Sequence, residues 1–220
     1  MADVRDAIGT LAASHHGGRD TTVARELVKT AGLRAVVLVE GVSDRVAVET
    51  LAARRGRALD ADGVCVVSIG GAMSIGRYLG VFNASSSGAS GFQVVGLCDV
   101  GEERYFQRAL EQTGRGVDVD RVGMERLGFF VCRLDLEDEL IRSLGVTGTL
   151  DVLEAEGDHR NFQTFQLQPA QRERPIQRQL RRFMGTISGR KEHYAQALVE
   201  ALDLERVPRP LEAVLERIWP

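Results

Sequence analysis

The chain has 220 residues, 44% hydrophobic and 27% charged, with a formal net charge of -3 at pH 7. That is the make-up of a soluble globular protein with enough chain to bury an ordinary core. It excludes a protein that binds its partners through overall positive charge, although local basic patches stay compatible with it. No apolar run reaches membrane-spanning length, and no apolar signal core follows the N-terminus. The three cysteines, Cys65, Cys98 and Cys132, each fall inside an apolar segment with neither CxxC nor disulfide-framework spacing. They read as small core residues in a reducing compartment, so a cytoplasmic location is expected.

Residues 1–33 carry helical patterning, broken by His15-His16 beside two glycines, which reads as a solvated loop rather than a metal site. From residue 34 the rhythm becomes strand, helix, strand, helix. Residues 35–39 (AVVLV) predict a strand buried on both faces, and it delivers Glu40, Gly41 and Asp44 to its end. Gly41 permits a sharp turn, and Ser43 or Asp44 can cap a helix over 45–54. Residues 63–69 predict a second buried strand ending in Gly70-Gly71, followed by a short helix over 74–82 and a small-residue loop over 83–91. A third strand over 92–98 ends at Asp99, with a helix over 102–112. A fourth over 127–132 is followed by a helix over 135–144 that opens with Asp135-Leu136-Glu137-Asp138-Glu139. Beyond residue 145 the pattern is helical, with 168–184 rich in Gln and Arg and 189–202 amphipathic.

The alternation predicts an α/β fold: a mostly parallel four-stranded sheet with flanking helices, plus N-terminal and C-terminal helical extensions. The expected division is a helical segment over 1–33, a core over 34–145, and a C-terminal extension over 146–220 carrying the basic residues.

Three of the four strands finish next to acid: Glu40, Asp99 and the 135–139 segment. Neighbouring strand ends in a parallel sheet would bring these carboxylates together, where they repel unless a positive charge sits among them. A hard divalent cation with oxygen ligands meets that need. Singly, Asp44 and Asp135 also read as helix caps, whereas Glu40 and Asp99 each end a buried run and are harder to explain that way.

With these residues in view, the chain resembles the Toprim domain, a Rossmann-like α/β metal-binding module, and within it the overcoming-lysogenization-defect (OLD) family of nucleases. The resemblance is carried by Val37-Leu-Val-Glu40-Gly41-Val-Ser43-Asp44, Gly96-Leu-Cys-Asp99, Asp135-Leu-Glu137-Asp138-Glu139-Leu140 and Gly189-Arg190-Lys191-Glu192. It implies Glu40 and Asp99 as the principal metal ligands, with Asp44, Glu137 and Glu139 completing a site for two Mg²⁺ or Mn²⁺ ions. Lys191 would stabilise charge on a phosphate, so that Glu40 and Lys191 carry catalysis. The implied activity is metal-dependent endonucleolytic hydrolysis of DNA. The alternatives are a non-catalytic Toprim module that binds metal and nucleic acid or a partner ATPase, and a receiver-like domain with Asp99 as phosphoacceptor. Arg178, Arg181, Arg182 and Arg190 are the expected nucleic-acid contacts. Toprim domains usually carry Asp-x-Asp after the third strand; here Gly101 replaces the second acid, and Glu102 or Glu103 is the candidate substitute. Members of this nuclease family also carry an ATPase domain with a GxxxxGK[ST] loop, which this sequence lacks. A free-standing Toprim domain with no ATP site is therefore expected. Its expected partners are DNA and a separate ATPase chain, with a homodimer compatible and no membrane.

Overall fold

The computed structural model describes residues 2–14, 19–82, 92–185 and 189–219; the His15-His16 stretch and the 83–91 loop lie outside them. The chain opens with α1 (Ala2–Ala13) and α2 (Arg19–Thr30), then β1 (Ala35–Val39), α3 (Val42–Arg54) and β2 (Val64–Ser68). A 3₁₀ turn (Ala72–Ser74) leads into α4 (Ile75–Phe82), followed by β3 (Gln93–Cys98), α5 (Glu103–Gln112), α6 (Arg121–Arg126) and β4 (Phe129–Val131). The rest is helical: α7 (Leu136–Ala155), α8 (His159–Gln166), α9 (Ile176–Met184), α10 (Arg190–Ala201) and α11 (Arg209–Ile218). None of these helices is long and apolar enough to cross a membrane, among the described residues.

The four strands form one wholly parallel sheet in the order β2-β1-β3-β4. All five β1 residues are fully buried, because a central strand in such a sheet has helices on both faces. Side chains alternate across a strand. Ala35, Val37 and Val39 enter one core with α3 and α7 to α11; Val36 and Leu38 enter the other with α1, α2 and α4 to α6. Both outer segments thus share a core with the sheet. Burial of each large aliphatic side chain contributes about 1.5–3 kcal/mol, which anchors β1 firmly between the two layers. Gly96 in β3 is required by packing: a Cβ there would lie 2.3 Å from the Phe129 ring of β4.

Several boundaries differ from those the periodicity predicts. The helix expected over 135–144 continues to Ala155, passing a non-helical Gly145 with φ of 73°. Residues 167–173 form turns, and α9 starts only at Ile176, after Pro175. The amide of buried Gln179 explains the delay: its Nε2 donates to the carbonyls of Gln171 (2.9 Å) and Arg174 (3.0 Å), holding them outside a helix. Helix α6, six residues long, is not among the expected elements, whereas α8 falls within the stretch read as helical beyond residue 145.

Candidate functional site at the carboxyl edge of the sheet

After β1 the chain pairs β2 on one side and then crosses to place β3 on the other. The β1–β3 gap is therefore a topological switch point, where open α/β sheets leave a crevice beyond the strand carboxyl ends. Val39 pairs with Leu97, so Glu40 and Asp99 emerge side by side into that crevice. A cleft of about 370 Å³ lies there, lined by Glu40, Asp44, Asp99 and Glu137, with Ser43, Gly185 and Lys191 among its other walls.

Each acid arrives by a different device. Asp44 occupies the third position of α3 and takes the Gly41 N–H on its Oδ2 at 2.8 Å, so the side chain that tightens the helix start also faces the cleft. Asp135 is the N-cap of α7, accepting from the Asp138 N–H at 2.9 Å. Glu137, 5% exposed, sits in the first turn of that helix, and Lys191, at the start of α10, meets it with Nζ 3.2 Å from Oε1.

Crowding of carboxylates sets the electrostatics. Burial, then Asp44, Asp135, Glu40 and Glu137, push the Asp99 carboxyl up to about 8. Burial lifts Asp44 to about 7, with Glu137 and Glu40 adding to it and the Gly41 N–H opposing. Glu40 is also raised, first by burial and then by Glu102, with Lys191 pulling the other way. Burial works against the Lys191 ammonium, but Glu137 outweighs it and holds the lysine charged.

Among the described residues, Glu40 Oε2 is buried with no hydrogen-bond partner. An orphaned carboxylate oxygen is costly unless something else satisfies it. The all-oxygen donor set suits a hard divalent cation, and a cation at this point would satisfy the orphan and relieve the mutual repulsion. Among the described residues, no group of three or more His, Cys, Asp or Glu side chains stands close enough together to hold a metal ion as placed, so ligation by several of these acids requires their side chains to move.

The remaining expected residues divide. Glu139 lies outside the cleft, because two steps along a helix turn it away from Glu137. Its oxygens take the Arg133 N–H at 2.7 Å and the Arg142 guanidinium. Glu103 is held by Arg121 at 2.5 Å, whereas Glu102 is the carboxylate that bears most strongly on Glu40. Arg178 and Arg182 are exposed on α9. Arg190 is not: its guanidinium lies 4.2 Å from the centre of the Phe183 ring and 3.4 Å from Asp158. Arg181 binds Asp135 at 2.5 Å. Sequence patterning shows Asp135 only as a cap; no local signal announces a partner 46 residues away.

Residues 33–100 match the family model described as the overcoming lysogenization defect protein-like Toprim domain. No curated protein matches the chain in sequence. Among solved structures, the C-terminal region of the Burkholderia pseudomallei OLD protein is similar with a TM-score of 0.62 and 23% identity, over 84% of this chain and 96% of that one. The C-terminal region of the Xanthomonas campestris pv. campestris OLD protein, phased with platinum, gives 0.64 and 26%, over 85% and 92%. Residues 33–100 thus match a Toprim domain of the overcoming-lysogenization-defect type, and the fold of the chain is that of the OLD C-terminal region.

Proposed function

We propose that this protein is a divalent-metal-dependent endonuclease that hydrolyses DNA phosphodiester bonds at the acidic cleft. The observation that carries this reading is the orphaned Glu40 Oε2, buried among carboxylates at the switch point with one lysine beside it. Glu40, Asp44, Asp99 and Glu137 would hold Mg²⁺ or Mn²⁺, with Glu102 the nearest candidate for the acid missing at Gly101. When bound, such ions supply Lewis-acid activation for in-line displacement at phosphorus. The chain's own residues do the rest. Lys191 presents a positive charge to the phosphate from the first turn of α10, where the helix dipole favours an anion. Arg178 and Arg182 reach outward from α9 and would engage the DNA backbone without reading bases.

A second reading, a non-catalytic metal- and nucleic-acid-binding module, is favoured by Gly101, which is exposed with open space around it. Nicking of supercoiled plasmid separates the two. The nuclease nicks with Mg²⁺ or Mn²⁺, stops with chelator, and is silent as Glu40→Ala and as Lys191→Ala. DNA binding without nicking by the purified protein, over both metals, establishes the module instead.

A further inference from the structure

Arg181 sits on α9, yet it does not point only to solvent. Its Nε and Nη2 both lie 2.5 Å from Oδ2 of Asp135, a residue only 6% exposed. The other oxygen of Asp135 caps α7 through the Asp138 N–H, so this carboxylate is committed on both sides. One turn after Arg181, the Gly185 N–H donates to the Arg181 carbonyl at 3.3 Å. The Lys191 stem passes over Gly185, its Cε 3.6 Å from the place a Gly185 Cβ would take. Lys191 then meets Glu137, two residues after Asp135.

These neighbours close a ring: Asp135 to the Arg181 side chain, along the α9 backbone to Gly185, from Gly185 to the Lys191 stem that lies over it, from Lys191 to Glu137, and back along the start of α7. A flexible lysine is a poor fixture, because its long stem loses much rotamer freedom when it is held in one geometry. A guanidinium with two N–H groups converging on one oxygen of a buried, helix-capping carboxylate is a firmer one. We propose that Arg181 is a positioning residue whose ion pair with Asp135 closes this ring and holds Lys191 against Glu137 at the mouth of the cleft. Arg181 thereby leaves the set of backbone-binding arginines. The consequence for turnover rests on the nuclease function proposed above; the structural role does not.

The test compares Arg181→Ala, Arg181→Lys, Asp135→Asn and the Arg181→Ala/Asp135→Asn double variant, with Arg182→Ala on the outer face as the contrast. Asp135→Asn keeps an oxygen for the cap, and Arg181→Lys keeps the charge, so each remains informative if Arg181→Ala fails to fold. Mispositioning of a charged group by about 1 Å costs on the order of 100-fold in rate. Arg181→Ala is therefore expected to lower the kcat for plasmid nicking about 10- to 100-fold with little change in KM. Arg181→Lys recovers part of the loss, because one ammonium cannot place two N–H groups on Oδ2. The double variant is no worse than the worse single one. Arg182→Ala shows the opposite signature, a raised KM with altered salt dependence. Crystal structures of the folded variants should show the Lys191–Glu137 contact broken. The proposal is overturned if Arg181→Ala raises KM at constant kcat, or if the variants keep that contact at its wild-type separation. If the wild-type protein never nicks, the nuclease function falls alone and the variant structures still decide the ring.

Discussion

Asp99→Asn should make the metal-free protein more stable at alkaline pH. The native fold holds the Asp99 carboxyl at about 8, against an ordinary value of 3.8. Between those values the folded chain keeps a proton that the unfolded chain has released. Stability therefore falls as pH rises through this window: the penalty is absent below about pH 4 and complete above about pH 8. The full displacement sets a ceiling of about 6 kcal/mol. Water reaching the open cleft and relaxation of the neighbouring carboxylates bring the realised penalty well below this ceiling, to about 2 kcal/mol. Asparagine mimics the neutral acid, so the variant escapes the penalty. In chelator, the two proteins should melt together below about pH 4 and diverge by about 4–8 °C near about pH 9, the variant higher. Added Mg²⁺ should raise the wild-type melting temperature at the alkaline end and close the gap. A gap that is flat with pH, or an Asn variant that melts lower at alkaline pH, would refute the electrostatic account of the cleft.

Gly96→Ala should destabilise the sheet, because its Cβ would sit 2.3 Å from a ring that is itself fully buried. Overpacking of this kind costs about 1–3 kcal/mol, read as a lowered urea midpoint with an unchanged slope. On the outer face of α9, Arg178→Ala and Arg182→Ala should each lower the slope of log affinity against log salt by about 1, on DNA of any sequence. Fluorescence anisotropy across a salt series reads this directly, and an unchanged slope places the DNA elsewhere.

Much of the centre was legible because its physics is local. Five consecutive apolar residues from Ala35 can be satisfied only between two layers of helices, and the acid that ends such a run must sit at the sheet edge. Asp99 follows by the same logic. The 135–139 segment was legible as a helix start rich in acid, but which of its acids faces the cleft was not. Glu137 and Glu139 are equivalent as sequence, and the rotation of α7 against the sheet sends one toward Lys191 and the other to Arg133 and Arg142. The arginines divide in the same way. Arg178, Arg181, Arg182 and Arg190 form one basic cluster in sequence, yet the fold draws Arg181 onto Asp135 and Arg190 onto Phe183 and Asp158. The late start of α9 was hidden because the Gln179 side chain reaches back to the Gln171 and Arg174 carbonyls, a polar contact that apolar periodicity does not register.

Periodicity and apolar runs alone thus determined that this chain is a parallel α/β protein with carboxylates at its strand ends, because hydrophobic burial and backbone geometry act within a few residues. Only the tertiary structure decided that β1 lies between β2 and β3, which converts separate strand ends into one cleft. It also decided which charges face that cleft and which neutralise one another, because ion pairs form between residues tens of positions apart and depend on how the helices rotate as they pack.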